Sequence, residues 1–219
     1  MLVLVGCEES QAVCIEFRKR GHEAYSCDLQ PCSGGHPEWH FQMDIFKVIG
    51  GGMLVTQSGK LVEIKKWDVG IFFPTCTFLT ISANKWYKEQ PPRKSGTLVG
   101  YERLLERVNA IKFFIDLYFC DIEKVAMENP IGIMSSVFRK PDQVLQPWMF
   151  GHGETKGTCL WLKKLPKLIW AKEDNLFEEK TAVEGREQRL HKLSPSDERA
   201  KLRSKTYTGI AQAMAEQWG

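Results

Sequence analysis

The opening of the chain constrains its fold more than any other stretch, because strand, helix and strand signals follow one another there with almost no connecting residues. Residues 1–6, MLVLVG, read as a short buried strand. Ser10 stands where a helix cap belongs, and Ala12, Val13, Ile15 and Phe17 recur at helical spacing until Gly21 ends the run. Residues 23–27 form a second strand closing at Asp28. A strand, a short crossover helix and a strand make a βαβ unit, whose strands run parallel and whose helix covers one face. The predicted fold class is therefore α/β, a Rossmann-like, mostly parallel sheet with helices on both faces.

The remaining segments extend that pattern. A polar loop with Gly34 and Gly35 leads to Asp44-Ile45, and residues 54–64 read as a hairpin turning at Ser58-Gly59. Residues 67–73 form an apolar strand that Pro74 ends. Residues 82–100, rich in Pro, Gly and basic residues, read as a mobile loop. Helical periodicity follows over 101–119 through Leu104, Leu105, Val108, Ile111 and Ile115. Residues 125–127 make a short strand before Glu128-Asn129-Pro130, and 206–218 a closing helix with Ile210, Ala211, Met214 and Trp218 on one face.

At 219 residues the chain suits one domain with one core. Hydrophobic residues at 43% and charged residues at 26% exclude disordered and collagen-like classes. No apolar run approaches the roughly 20 residues of a membrane span, and MLVLVGCEES has no basic leader, so a cytoplasmic protein without membrane partners is expected. Seven cysteines, an odd set without small-scaffold spacing, suit reduced thiols. No obligate protein partner is evident. Basic residues gather between 186 and 205, within a charged segment at about 165–205.

Four predicted strand ends carry chemistry. Gly6-Cys7-Glu8-Glu9 follows the first, and Asp28 closes the second about 20 residues on, where a carboxylate meets ribose hydroxyls. The turn lacks G-x-G-x-x-G, and its two carboxylates would repel a pyrophosphate at the helix N-terminus. A cofactor with ribose and adenine but no phosphate fits better, S-adenosylmethionine for example, with Gly6, Glu8 and Asp28 on its side of the sheet. The plainer reading of Asp28 is a turn cap. Pro74-Thr75-Cys76 and Glu128-Asn129-Pro130 end two further strands. A thiolate nucleophile beside a carboxyl general acid suits addition to a pyrimidine: sulfur attacks carbon 6, the acid protonates N3, and carbon 5 becomes able to take a methyl group. Alternatively Cys76 is a small buried hydrophobe and Glu128 a cap.

In these residues the chain resembles the cytosine carbon-5 methyltransferases that use S-adenosylmethionine, in a small phage or prophage form without a full target-recognition domain. Pro74-Thr75-Cys76 is similar to the family's Pro-Pro-Cys nucleophile loop, and Glu128-Asn129-Pro130 to its Glu-Asn-Val segment. The resemblance implies that Cys76 is the nucleophile and Glu128 the acid, with Pro74, Thr75, Asn129 and Pro130 around the base. It implies that Asp28 binds the cofactor ribose, that Asp44 contacts the adenine amino group, and that Gly209, in TYTGIAQAMAEQWG, belongs to the turn leading the last helix back to the cofactor. CEESQAV, CSGGHPEWH, PWMFGH and TCLWL carry the likeness nearly end to end, and with it a bacterial or phage-infected cell.

The acceptor stays open between DNA and a free cytosine nucleotide. Trp86 and Tyr87, among Lys85, Lys88, Arg93 and Lys94, can stack on a base or tuck onto the core. Arg203 in the basic tail can hold a phosphate or lie on a wetted surface. Cys27, Cys32, His36 and His40 have zinc-ligand types at loose spacing, and as a pocket edge they need no metal. A non-catalytic DNA or nucleotide binder on the same scaffold, or an amino-group methyltransferase, are the alternatives; for the latter, Phe73 stands where a polar side chain is required.

Overall fold

The structure is a computed structural model that describes residues 1–170 and 205–219. Its centre is a seven-stranded sheet. In chain order its strands are β1 (Leu2–Gly6), β2 (Glu23–Asp28), β3 (His40–Gln42), β6 (Val69–Phe72), β7 (Lys124–Pro130), β8 (Gln143–Leu145) and β9 (Thr158–Lys163). They lie side by side as β3-β2-β1-β6-β7-β9-β8. The first five run parallel, whereas β9 pairs antiparallel with both β7 and β8. A separate hairpin, β4 (Gly52–Val55) with β5 (Leu61–Ile64), turns near Gly59, whose φ of 85° suits a residue without Cβ.

The apolar runs at 1–6 and 67–73 are continuous rather than alternating because these strands are covered on both faces. Val3, Val5, Val69 and Ile71 face one core, shared with α1 (Ala12–Lys19) and α5 (Thr208–Trp218). Leu4 and Phe72 face the other, shared with α2 (Phe46–Ile49), α3 (Gly100–Tyr118), the short α4 (Met134–Val137) and the hairpin. Helices thus lie on both faces, as expected, and α5 buries the expected Ile210, Ala211, Met214 and Trp218. Among the described residues no helix is long and apolar enough to cross a membrane.

Three local expectations are corrected. Ser10 does not cap α1: Gln11 precedes the helix in a left-handed conformation at φ 57°, and the carboxylate of Glu8 accepts from Val13 N at 2.7 Å and Cys14 N at 3.3 Å. The strands β3, β8 and β9 add to the sheet where no strand was read. On α3, Leu104, Leu105 and Val108 are exposed, and the buried side carries Arg103, Arg107, Phe114, Leu117 and Tyr118. Residues 82–100 form a single 3-10 turn, Asn84–Tyr87, in otherwise irregular chain. Glu89 within that segment accepts from Tyr101 N at 3.0 Å, so it satisfies the start of α3.

Candidate functional site

The carboxyl ends of β1, β2, β3 and β6 open on a cleft of about 170 Å³ lined by Cys7, Asp28, Met43, Asp44, Thr75 and Phe113, among others. The chain reaches β2 on one side of β1 and β6 on the other, so the cleft lies where strand order reverses, the place a parallel sheet offers to ligands. Asp28 and Asp44, 16 positions apart in sequence, are brought together here because β3 pairs in parallel with β2. Asp28 Oδ1 accepts from Gln30 N and Asp44 Oδ1 from Phe46 N, each at 2.9 Å. Each acid therefore caps its own turn with one oxygen, and among the described residues the second oxygen makes no hydrogen bond. Cap and ligand readings of Asp28 are compatible. Cys7, with φ 58°, stands between them, and burial together with the charge of Asp28 holds its thiol well above the ordinary range, hence protonated.

Gly6 and Glu8 work beside this cleft rather than in its lining. A Cβ on Gly6 would stand 2.5 Å from Phe72 Cδ1 and 2.8 Å from Ile45 Cδ1, so the glycine lets those side chains close over the end of β1. Glu8 fills the N-terminus of α1 with its own carboxyl group, which burial pushes up to about 8 against the pull of the two backbone N–H donors. An anion-binding helix end is thereby already occupied.

Pro74, Thr75 and Cys76 continue from β6, and Leu79 N and Thr80 N close a turn onto Cys76 O at 2.9 and 3.1 Å. The neighbouring β7 runs in register with β6, Phe72 opposite Met127, so Glu128 and Asn129 reach the same edge of the sheet. Asn129 is buried, and its Nδ2 donates to Pro74 O at 2.7 Å, fixing the distance between the cysteine turn and β7. Pro130 ends β7 opposite Thr158. Burial raises the carboxyl of Glu128, opposed by the nearby Lys156 ammonium and the Thr158 hydroxyl. Lys156 and Thr158 were not foreseen. They reach Glu128 because β9 enters the sheet antiparallel beside β7, and a three-residue β8 and an irregular stretch before β9 give little periodic signal.

Other candidates lie apart. Trp86 interacts with its own segment, Arg93 at 3.7 Å and Lys85 at 4.7 Å from the ring centroid, so its ring is already partnered. Gly209 packs on the turn Pro147–Phe150: its N–H donates to His152 Nε2 at 3.0 Å, and a Cβ there would collide with the carbonyl of Phe150. That acceptor nitrogen is unprotonated, in keeping with burial that lowers the His152 pKa. The residues of zinc-ligand type, read chiefly as a pocket edge without metal, diverge. Cys27 Sγ donates to Met43 O, His40 lies between Ser26 Oγ and Gln30 O, and His36 stacks on Trp39 with ring centroids 3.8 Å apart. Among the described residues no group of three or more His, Cys, Asp or Glu is placed to hold a metal ion. Arg203 and most of the basic tail lie outside the described residues.

The edge thus offers a cleft with two acids that can accept hydroxyl and amino hydrogens, and next to it a cysteine turn tied to a strand that bears a carboxyl of raised proton affinity. The lining includes Thr75 but neither Cys76 nor Glu128, and such a cleft can bind an uncharged or cationic nucleoside-like group beside the cysteine turn. No family model matches the chain, and no curated protein matches it.

Proposed function

We propose that the chain is an S-adenosylmethionine-dependent methyltransferase acting on carbon 5 of cytosine, in DNA or in a free cytosine nucleotide. The observation that carries this reading is the common edge: Asp28, Asp44 and Thr75 around one cleft, with the turn bearing Cys76 joined through Asn129 to the strand bearing Glu128. The cofactor fits the residues present. The open oxygens of Asp28 and Asp44 suit ribose hydroxyls and an adenine amino group, and the occupied helix end at Glu8 disfavours a cofactor with a pyrophosphate. At about 170 Å³ the cleft is below the roughly 300–1,000 Å³ of sites that enclose a whole drug-sized ligand, so it would suit the nucleoside part of the cofactor.

Bound there, the cofactor supplies an electrophilic methyl group. The protein's own groups do the rest. Cys76 Sγ, as thiolate, forms a bond to carbon 6 of cytosine while the Glu128 carboxyl gives its proton to N3, and the electron pair of the 5,6 double bond becomes available at carbon 5. Carbon 5 would take the methyl group as the methyl's bond to the cofactor's sulfonium sulfur breaks and the neutral thioether leaves; a base then removes the carbon 5 hydrogen as a proton, the 5,6 double bond re-forms, Cys76 sulfur leaves and N3 returns its proton. The raised proton affinity of Glu128 is what this role requires of a carboxyl near neutral pH.

The test is covalent trapping with oligonucleotides and nucleotides containing 5-fluorocytosine, in the presence of methyl-labelled cofactor. Fluorine cannot leave as a cation, so the adduct persists. An adduct with the wild-type protein that disappears in Cys76→Ser supports the reading. Cofactor binding with neither adduct nor methyl transfer on any acceptor refutes it and favours a non-catalytic binding protein.

A further inference from the structure

Two arginines on the inner side of α3 are buried without an acid. Arg103 is 4% exposed and Arg107 8%, and among the described residues neither forms an ion pair with a carboxylate. A buried cation without counter-charge is costly unless its donors are well used. Here they are spent on one turn and one segment. Arg107 Nε donates to Phe78 O at 2.8 Å, and its Nη2 to Thr80 O at 3.2 Å and to Asn84 Oδ1 at 2.9 Å. Arg103 reaches Thr77 O through Nη2 and Leu98 O through Nη1, both at 3.4 Å. Tyr87 completes the group. Its hydroxyl donates to Phe78 O at 2.9 Å, and its ring centroid lies 3.6 Å from the Arg107 guanidinium and 5.0 Å from that of Arg103.

We infer that Arg103 and Arg107 are positioning residues for Cys76, gripping from outside the carbonyls of the turn whose inner hydrogen bonds close on Cys76 O. The inference rests on Cys76 being the nucleophile. From within, Leu79 N and Thr80 N hold the Cys76 carbonyl; from without, the guanidiniums hold the carbonyls of residues 77, 78 and 80. A planar fork with five donors fixes several carbonyls in one relative orientation, which a lysine ammonium does not. Because the same two side chains also bind Asn84, Leu98 and the Tyr87 ring, the cysteine turn and the 82–100 segment form one mechanical unit. Arg107 carries more of the grip: its three bonds are shorter, whereas Arg103 Nε is the one buried side-chain polar atom among the described residues with no partner.

The test uses the full chain with Arg107→Met, Arg107→Lys and Tyr87→Phe. Amide hydrogen exchange at Leu79 and Thr80 reads the turn directly, with amides of β1 and β7 as the control for folding. Arg107→Met is expected to speed exchange at those two amides by roughly tenfold, the loss of about one charge-assisted hydrogen bond, with the strand amides unmoved. Methyl transfer to cytosine should lose on the order of 100-fold in kcat with KM for the cofactor unchanged, the scale of a displaced reacting group. Arg107→Lys, keeping charge but not the fork, should recover only part of kcat, and Tyr87→Phe should show a smaller change of the same kind. Unchanged exchange at Leu79 and Thr80 in Arg107→Met overturns the inference, as does a kcat equal to wild type. A wild-type protein without transfer or adduct counts against the reaction and leaves the grip to be judged by exchange alone.

Discussion

Replacing Glu8 by glutamine tests the electrostatic reading of the first turn. The Glu8 carboxyl is buried, and its proton affinity rises from an ordinary 4.5 to about 8, with burial the largest cause and the Val13 and Cys14 N–H groups opposing it. The sign follows from linkage. The folded state holds a proton that the unfolded chain releases above about 4.5, so the contribution of this group is whole below that value, shrinks as pH rises, and is gone above about 8. At about 1.36 kcal/mol per pH unit the gap amounts to about 5 kcal/mol, of which about 3–4 kcal/mol falls between pH 5 and 8. Glu8→Gln keeps an acceptor for Val13 N but turns an amide NH₂ toward Cys14 N, a loss of about 1 kcal/mol that does not vary with pH. The variant should therefore be slightly less stable than wild type at pH 5 and about 2–3 kcal/mol more stable at pH 8. Urea unfolding midpoints at constant ionic strength, read at unchanged m, give the difference, in which titration of the other groups cancels. Parallel curves for the two proteins from pH 5 to 8 would refute the argument.

Two further outcomes follow from the geometry. Asp28→Asn retains the oxygen that caps Gln30 N but removes the charge facing the cleft, so S-adenosylmethionine binding by calorimetry should weaken by at least about tenfold, the scale of a hydrogen bond to a charged group, with unfolding little changed. Gly209→Ala improves helix propensity by about 1 kcal/mol yet sets a Cβ against the Phe150 carbonyl, so a net loss of about 1–2 kcal/mol and a fall in Tm of about 2–8 °C are expected; a rise in Tm would show that α5 can shift without cost.

The parts of the fold legible in the sequence are those whose burial leaves a periodic trace. β1, α1, β2, the hairpin, β6 and α5 bury whole runs or clear stripes, and each stands close to where it was expected. β3 and β8 are three residues each, too short to carry a period, and β3 begins with His40, whose burial depends on Ser26 and the Gln30 carbonyl rather than on apolarity. α3 was legible as a helix but not in its orientation. Leu104, Leu105 and Val108 form the obvious stripe, yet Phe114, Leu117 and Tyr118 fix the inward side, and Arg103 and Arg107 share it because the carbonyls of the cysteine turn satisfy them. At the site, Asp28 and Thr75 were readable as strand-end residues and Asp44 only through the family resemblance, and the three meet around one cleft. The second use of Glu8 as a helix cap, and the arrival of Lys156 and Thr158 beside Glu128, depend on contacts between residues whose spacing announces nothing.

The reversed direction of β9 has a consequence for how this edge can vary. Six strands, β8 included, deliver their carboxyl ends to the rim, but β9 starts from it, and ladder pairing of Thr158 with Pro130 anchors that start. Insertions or deletions between the Pro147–Phe150 turn and Thr158 would lengthen or trim what overhangs Glu128 while its immediate neighbour stays pinned. Under the proposed function, selectivity for different acceptors can be retuned in that short stretch by changing its length, with the sheet beneath it undisturbed.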